Sequence, residues 1–586
     1  MTVATSSDPR RLKVSDWIGG AFVAVIGAVY LAGWLLDIQT FAWFLWTMAI
    51  DLVMSLAFLV WWFTRRSIRP GQRLLVLACA LLMPVLVAVV SRRAIAQPFF
   101  LAFSGLPIAL AIWWGWFIAS RPLGARARVG GLIAGLAIVW SAFLLVRVDG
   151  YRGNLRADVR WRWTPTGEEL FLARGGAHET PIAATTRPSE PLTLRPGDWP
   201  GFRGPRRDGI VTGSRIDLDW SKSPPRLLWR QRVGPAWSST AVVDGHAFTQ
   251  EQRGQREAVV CRDAASGAEL WVHEDAGRFE DPMSGPGPRA TPAFAGGRIY
   301  AQCALGTLNC LDAASGRVIW SRDLRADAGA AMPMWGFCGS PLVVGDEVVI
   351  YAGGEGKKGL LAYSLDGGSP RWTADVGQTG YASPQALELG GQPQVLIFTD
   401  QGLFAVDGAT GRPRWQYATE RRVGLPSALQ ACVVGADALI LGNGAAFGAQ
   451  RIQVSDDGRP PQRQWITPRI KPAFSDMVYH DGFLYGFDGT VFCCVDAKTG
   501  ERRWREGRYG AGQVLLLAEQ GVMIVTSEDG QAILLRCNPA HSEELGRIQA
   551  ISGKAWNHPA IAGDRLFVRS DAEMACFQLA PAPEGK

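Results

Sequence analysis

The apolar positions change their pattern once along this chain. Up to about residue 150 they come as near-continuous runs, over 17–36, 41–63, 74–90, 99–119 and 129–148. Each run is close to the ~20 residues that a helix needs to cross ~30 Å of hydrocarbon. Beyond residue 220 they come as short runs broken by Gly-rich hairpin turns, the signature of short strands. The pattern predicts an N-terminal all-α transmembrane bundle of five helices followed by an all-β domain. The run over 74–90 is the shortest and holds Pro84. Asp51 lies inside the second run, where an acid is costly and marks a functional candidate. The structural alternative is a helix–helix contact or a protonated carboxyl.

Basic residues orient the bundle. Arg10, Arg11 and Lys13 precede the first run, Arg65, Arg66, Arg69 and Arg73 follow the second, and Arg121, Arg126 and Arg128 follow the fourth. The opposite loops carry none over 37–40 and only Arg92 and Arg93. The positive-inside bias places the N-terminus in the cytoplasm, and five crossings then place the β domain in the periplasm. The expected localisation is a multi-pass protein of the cell inner membrane, with the lipid bilayer as a partner. The first run is too long for the apolar core of a cleaved signal and is expected to stay as an anchor.

The strand region repeats. Asp263-Ala264-Ala265-Ser266-Gly267 leads to Trp271, and Asp312-Ala313-Ala314-Ser315-Gly316 to Trp320. Ser364 and Gly368 lead to Trp372, Asp407 and Gly411 to Trp415, and Asp496 and Gly500 to Trp504. In each copy Gly follows the first residue by four positions and Trp by eight. Trp229 and Trp465 keep the ring without the full turn, and Leu545 fills the slot in a last, degenerate copy after Asn538. Self-similarity at this period means a repeat architecture. Each unit reads as four short strands; in the second they cover 290–294, 298–302, 307–311 and 317–320. The anchors define seven complete units and an eighth left open from 545 to about 580. Pairing the opening strand, 225–233, with that last unit closes a ring and removes exposed sheet edges. The prediction is an eight-bladed β-propeller. The Asp caps its turn, Gly supplies a positive φ, and Trp packs between sheets.

The expected domains are a transmembrane domain over 1–150, a linker over 151–197, the propeller with its lead-in over 198–580, and a tail over 581–586. The stretch 180–196 is rich in Pro, Thr and Ala and is expected to be poorly ordered. Before it, Thr164, Pro165, Glu168 and Glu169 suggest a helix start. The net charge of +7 over 586 residues is modest and gives no case for nucleic acid. Of ten Cys, Cys261, Cys310 and Cys494 share one strand position two residues before the turn Asp, which fits small buried packing. A disulfide between adjacent Cys493 and Cys494 is disfavoured because their side chains face opposite ways. Six His are scattered without metal-ligand spacing, and there is no Cys-x-x-Cys-His haem motif, Gly-x-Ser-x-Gly elbow or phosphate-binding Gly loop.

The unit resembles the repeat of pyrroloquinoline quinone (PQQ) propellers, a superfamily that spans quinoprotein alcohol and glucose dehydrogenases and the propeller lipoprotein of the outer-membrane barrel-assembly machine. The lead-in Asp198-Trp-Pro-Gly-Phe-Arg-Gly-Pro-Arg-Arg-Asp-Gly is similar to that of members without evident enzymatic motifs. So are Glu251-Gln-Arg-Gly, Gly287-Pro-Arg-Ala-Thr-Pro and Tyr381-Ala-Ser-Pro. Five spans ahead of a propeller resemble the layout of membrane-bound quinoprotein glucose dehydrogenase. The enzymatic members imply PQQ with a divalent cation, an acidic base and a flat aromatic platform. No segment here matches their ligand or base motifs, so catalytic residues stay unassigned and no metal ligand is expected. Two functions follow: a binding or scaffolding module with a periplasmic or envelope protein partner, which is favoured, and a PQQ-dependent dehydrogenase that reduces membrane quinone.

Small residues, often followed by Pro, open the first strand of most units: Ser239, Thr291, Ser340, Ser383, Ser427, Ser475 and His558. First strands line a propeller's channel. The residues two before them are expected at its mouth: Trp237, Arg289, Cys338, Tyr381, Leu425, Ala473 and Trp556. The candidate binding set is Trp237, Glu251, Arg253, Arg289, Trp335, Tyr381 and Trp556. Flat rings with one guanidinium suit a planar, carboxylate-bearing ligand, as PQQ would be. The structural alternative is that Arg289 pairs with Glu251 and ties two blades together.

Overall fold

A computed structural model describes residues 14–35, 41–91, 100–176, 190–389, 391–419, 428–442, 448–455 and 459–583. The chain divides into two compact units, Met1–Thr164 with Asp281–Gly285, and Pro165–Glu280 with Pro286–Lys586.

The first unit holds α1 (Val14–Leu35), α2 (Phe41–Phe63), α3 (Pro70–Ser91), α4 (Leu106–Ala119) and α5 (Ala125–Ala142). Five spans, with α4 extended by a π turn from Leu101 and α5 continued to Leu145, are long and apolar enough to cross a membrane. Continuous apolar sequence makes helices that are hydrophobic all round. α3 starts four residues earlier than the apolar run and accommodates Pro84. The core is aromatic: Trp62 meets Trp113 at 5.0 Å and Phe117 at 6.0 Å, edge to face. Close approach depends on glycine. A Cβ on Gly19 would meet Trp61 within 3 Å, and one on Gly20 would strike Trp114. Asp51 is buried within α2.

A hairpin follows, Val146–Tyr151 against Ala157–Trp161, in a stretch expected to be linker. The Arg162 N–H donates to the Leu145 carbonyl at 2.9 Å, so the second strand is pinned to the end of the last apolar span. Trp161 and Trp163 stack at 5.1 Å and 9° and are 54 % and 68 % exposed.

The second unit opens on a short helix, Gly167–Phe171. Its cap is Thr166, not the expected Thr164–Pro165. The Thr166 hydroxyl accepts from the Glu169 N–H while the Glu169 carboxylate accepts from the Thr166 N–H, a reciprocal arrangement that a start at Thr164 would forgo. Of the stretch 180–196 expected to be poorly ordered, residues 180–189 lie outside the described residues and 190–196 within them.

Eight antiparallel sheets of four main strands follow. Blade 1 runs Ala241–Val243, His246–Arg253, Arg256–Asp263 and Glu269–Ala276. Blade 8 takes Ala560–Ala562, Arg565–Arg569 and Glu573–Gln578 and borrows Arg226–Arg232 as its fourth strand, in register from Glu573↔Arg232 to Gln578↔Arg226. The ring therefore closes as the repeat arithmetic requires. First strands of neighbouring blades touch, including those of blades 8 and 1, and line the axis. They are shorter than expected. In blade 2 the strand is Ala293–Ala295, because the residues before it bond to neighbouring blades instead of their own sheet.

The repeat motif is one inter-blade contact. Trp229 lies against Gly267 of the next blade's turn, Trp271 against Gly316, Trp320 against Gly368, Trp372 against Gly411 and Trp465 against Gly500. These glycines have φ of +66° to +74°, which L-residues avoid. The indole N–H then reaches a turn carbonyl: Trp271 to Ala313 at 3.0 Å, Trp320 to Leu365 at 2.9 Å, Trp504 to Asn538 at 2.8 Å. The turn is held by its Asp; Asp263 Oδ1 accepts from the Ala265 and Ser266 N–H groups. The shared cysteine position also acquires a reason. Cys261, Cys310 and Cys494 lie directly across the sheet from Trp271, Trp320 and Trp504, where a small side chain leaves room for the ring.

Trp320 is 9 % exposed. Trp320→Ala should cost about 3–5 kcal/mol, measured by denaturant unfolding of the purified chain. Unchanged stability would remove the structural role assigned to the motif.

Candidate functional site

A belt of hydrogen bonds crosses from blade to blade, two residues before the first strand in most blades and at its first residue, Gln513, in blade 7. The Ser239 N–H donates to Thr291 Oγ1 at 3.1 Å, the Thr291 N–H to Ser340 Oγ at 2.9 Å, and the Ser340 N–H to Ser383 Oγ at 2.9 Å. Farther round, the Gln430 N–H donates to Asp476 Oδ1 at 3.2 Å, and the Asp476 N–H to Gln513 Oε1 at 3.3 Å. Ser239 Oγ donates to the His558 carbonyl at 2.6 Å and joins blades 1 and 8. Of the small residues singled out in the sequence, Thr291, Ser340 and Ser383 are thus blade-to-blade acceptors, while the Ser239 hydroxyl donates.

The frame needs correcting in two blades. Asp476, not Ser475, holds the belt position of blade 6, so Phe474 takes the mouth position expected for Ala473. Gln430 holds it in blade 5. Leu425 and Ser427, expected there, lie outside the described residues.

Two aromatic groups flank the mouth. Trp556 packs on Trp237 at 4.8 Å and on Phe474 at 4.8 Å, and the Lys554 ammonium lies 4.4 Å from the Trp556 ring and 5.2 Å from that of Trp237. Trp556 Nε1 donates to Glu528 at 2.9 Å, while Trp237 Nε1 is buried without a partner. Trp335 meets Tyr381 at 4.8 Å. Arg289 donates to the Gly287 carbonyl at 2.9 Å, with its guanidinium 4.9 Å from the Phe279 ring and within electrostatic reach of Tyr381 and Glu257. Trp237, Trp335, Arg289 and Trp556 are all partly exposed.

Glu251 and Arg253 are elsewhere. Glu251 is fully buried; Arg253 Nε donates to it at 2.7 Å and its NH2 reaches Glu269 at 2.7 Å. Burial alone would raise Glu251, but Arg253, Arg262 and Arg569 outweigh it and hold the carboxyl below its ordinary value. The pair is engaged within blade 1, where Arg253 bridges Glu251 and Glu269. Glu251 faces inward along its strand and is consumed by arginines of blades 1 and 8.

The charged neighbour of Arg289 is Glu257, which the sequence reading missed. Its carboxylate accepts from the Ala304 and Leu305 N–H groups at 3.0 and 3.1 Å. Burial pushes its pKa up to about 7, with the two N–H bonds and Arg289 opposing. Also missed were Arg203 and Arg207 of the lead-in. Arg203 lies 3.4 Å from Asp476 and donates to the Met477 carbonyl at 3.0 Å; Arg207 donates to the Pro341 and Ser340 carbonyls at 2.7 and 3.0 Å. Burial, then the Arg203 charge, lowers Arg207 to about 9. Asp476 also accepts from His558 Nε2 at 3.0 Å. Despite that bond, burial keeps the His558 pKa below its ordinary value.

Among the described residues no three His, Cys, Asp or Glu side chains come together as metal ligands. Asp476, Glu251 and Glu257 are each committed to arginine, histidine or backbone donors. This donor set does not fit a divalent cation bound against a quinone.

The family model described as outer membrane protein assembly factor BamB matches residues 255–506, inside the propeller, and the chain carries the PQQ-like repeat. No curated protein matches. Among solved structures, BamB from Moraxella catarrhalis is 18 % identical over 61 % of this chain and 100 % of its own, with a TM-score of 0.43. The quinohemoprotein alcohol dehydrogenase from Comamonas testosteroni is 13 % identical over 67 % of this chain and 82 % of its own, with a TM-score of 0.48.

Glu257 makes a pH prediction. Below about pH 4.5 its carboxyl is protonated in both folded and unfolded chains. As pH rises toward 7 the unfolded chain releases the proton while the folded chain keeps it, so stability falls, by up to about 3 kcal/mol. Glu257→Gln removes the titration. Between pH 4 and pH 8 its unfolding free energy should gain on wild type by about that amount; a flat difference would show that Glu257 ionises normally.

Proposed function

We propose that this chain is a membrane-held propeller that binds a ligand or protein partner at the mouth of its channel and works as a scaffold. The observation that carries the reading is the composition of the mouth. Partly exposed Trp rings, the buried Tyr381 beside Trp335 and one guanidinium stand there, the residue types that dominate binding hot spots. The carboxylates Glu251, Glu257 and Asp476 are engaged by their own fold. A general base must also reach substrate, and all three of these carboxylates are buried, Glu251 most completely. A scaffold needs only a shaped surface.

The five apolar helices fit membrane anchoring. The arginine asymmetry supports an inner membrane with a cytoplasmic N-terminus and a periplasmic propeller. Stacked, exposed Trp161 and Trp163, pinned to the last residue of the fifth span, suit an interfacial aromatic belt at its far end. The partner is then an envelope protein or a periplasmic ligand.

The competing reading, a PQQ-dependent dehydrogenase, shares the fold and fails on the donor set. Purified chain given PQQ with Ca²⁺ or Mg²⁺ should develop no quinone absorbance and no dye reduction with alcohols or sugars. Appearance of both would replace the scaffold by the enzyme. A photo-crosslinker at Trp335 should capture a defined envelope adduct in cells, and Arg289→Ala should lose it while changing unfolding free energy by less than about 1 kcal/mol. An adduct unaffected by Arg289→Ala would sink the mouth as the site. For topology, a reporter active only outside the cytoplasm and fused after Lys586 should be active. Activity from a cytoplasm-only reporter would reverse the orientation.

A further inference from the structure

The helix unit holds a charge imbalance that the propeller's role leaves unexplained. Asp16 sits in the first turn of α1. Arg65, just beyond α2, lies 3.4 Å from one Asp16 oxygen and donates to the Ser15 carbonyl at 2.9 Å. Arg121, just beyond α4, pairs with the other oxygen. Arg128, in the first turn of α5, lies within electrostatic reach of both Arg121 and Asp16, and its guanidinium stands 5.3 Å from the Phe117 ring. Among the described residues three guanidiniums face one carboxylate, an excess of two positive charges.

Donors are also in excess. A guanidinium offers five N–H groups. Among the described residues Arg121 donates only to Asp16, and Arg128 only reaches the Phe117 carbonyl at 3.5 Å, its Nε buried without an acceptor. The Arg65 and Arg121 side chains are only 14 % and 18 % exposed. Indoles fix the frame: Trp61 Nε1 donates to the Ser15 carbonyl at 2.7 Å, Trp114 to the Asp16 carbonyl at 3.1 Å and Trp116 to the Arg128 carbonyl at 2.8 Å. The starts of α1 and α5 add the positive ends of two long helices.

We propose that this end of the helix unit, framed by Arg65, Arg121 and Arg128, binds the phosphate group of an anionic species at headgroup depth. Guanidinium forks match phosphate oxygens in pairs, and a monoanion or dianion offsets the excess charge. An anionic phospholipid and a soluble phosphate share that chemistry. The depth follows from the chain: α2 and α4 end here, and α1, α3 and α5 begin. The proposal rests on the reading of these helices as membrane-spanning.

The test uses the full chain, purified in detergent, stripped of lipid and titrated with phosphatidylglycerol, phosphatidylcholine or inorganic phosphate, with adducts counted by native mass spectrometry. Phosphatidylglycerol should be retained over phosphatidylcholine. The pair Arg121→Gln and Arg128→Gln should weaken that retention by roughly tenfold to thirtyfold and leave phosphatidylcholine unchanged. The pair Arg121→Lys and Arg128→Lys should keep much of it, and guards against a Gln variant that fails to fold. Inorganic phosphate that binds while phosphatidylglycerol does not would uphold the phosphate site and assign it to a soluble source. Equal retention of both lipids by wild type, or full phosphatidylglycerol retention by the folded Gln pair, would overturn the proposal. Should wild type hold neither lipid nor inorganic phosphate, the proposal falls, while the spanning reading is judged separately by the reporter fusion.

Discussion

The contact on which the propeller depends is a tryptophan ring laid against a glycine. An indole brings about 150–250 Å² out of water when buried, and only a residue without Cβ lets the ring approach the backbone. In the propeller the ring belongs to one blade and the glycine to the next, so no blade completes its core alone. Closure obeys the same rule. Trp229 arrives on the strand that blade 8 borrows from the start of the domain, and it lies against Gly267 of blade 1. The helix unit solves close packing with the same pair, Gly19 against Trp61 and Gly20 against Trp114. Trp61 and Trp114 also donate to the backbone of Ser15 and Asp16, so these rings set the helix spacing and frame the cationic end of the bundle.

The fold was legible because both partners of this contact recur at fixed spacing. Asp, Gly and Trp four and eight residues on encode the turn, its conformation and the ring, and counting them counts blades. The site was less legible because its partners lie far apart. Arg203 contacts Met477, 274 positions away, and Arg207 contacts Pro341, 134 positions away. No spacing rule links them. The belt failed for a different reason. Its position is defined by the first strand, not by a residue type, and Gln430 and Asp476 replace the hydroxyl found elsewhere. A search for Ser or Thr slips to Ser475 in blade 6, and the slip carries the mouth residue from Phe474 to Ala473.

Belt and lead-in together make the two ends of the channel unequal. Trp237, Arg289, Tyr381 and Trp556 precede the belt residues by two positions. Arg207 takes the carbonyls of Ser340 and Pro341 and Arg203 that of Met477, at the belt and on its strand side. The lead-in therefore fills the axis from the side away from the aromatic rings. It is fastened there by Trp199, which exchanges hydrogen bonds with Val242 at 2.8 and 2.7 Å.

Electrostatics sets the charge state of the carboxylates buried in the propeller. Burying a charge is costly unless it is paired, and the propeller pairs its buried carboxylates thoroughly. Asp476 is held below its ordinary value, because Arg203 and His558 outweigh the effect of burial. Glu251 is held down by three arginines. Glu257 takes the other route and keeps its proton until about pH 7. Near neutrality it is the carboxyl beside Arg289 whose charge is undecided. An anionic ligand at Arg289 would compete with the ionised form of Glu257, so its arrival favours the protonated carboxyl, and a rise in pH works against both. That coupling would run through charge and not through contact, since Glu257 is 2 % exposed and its oxygens accept from the Ala304 and Leu305 backbone.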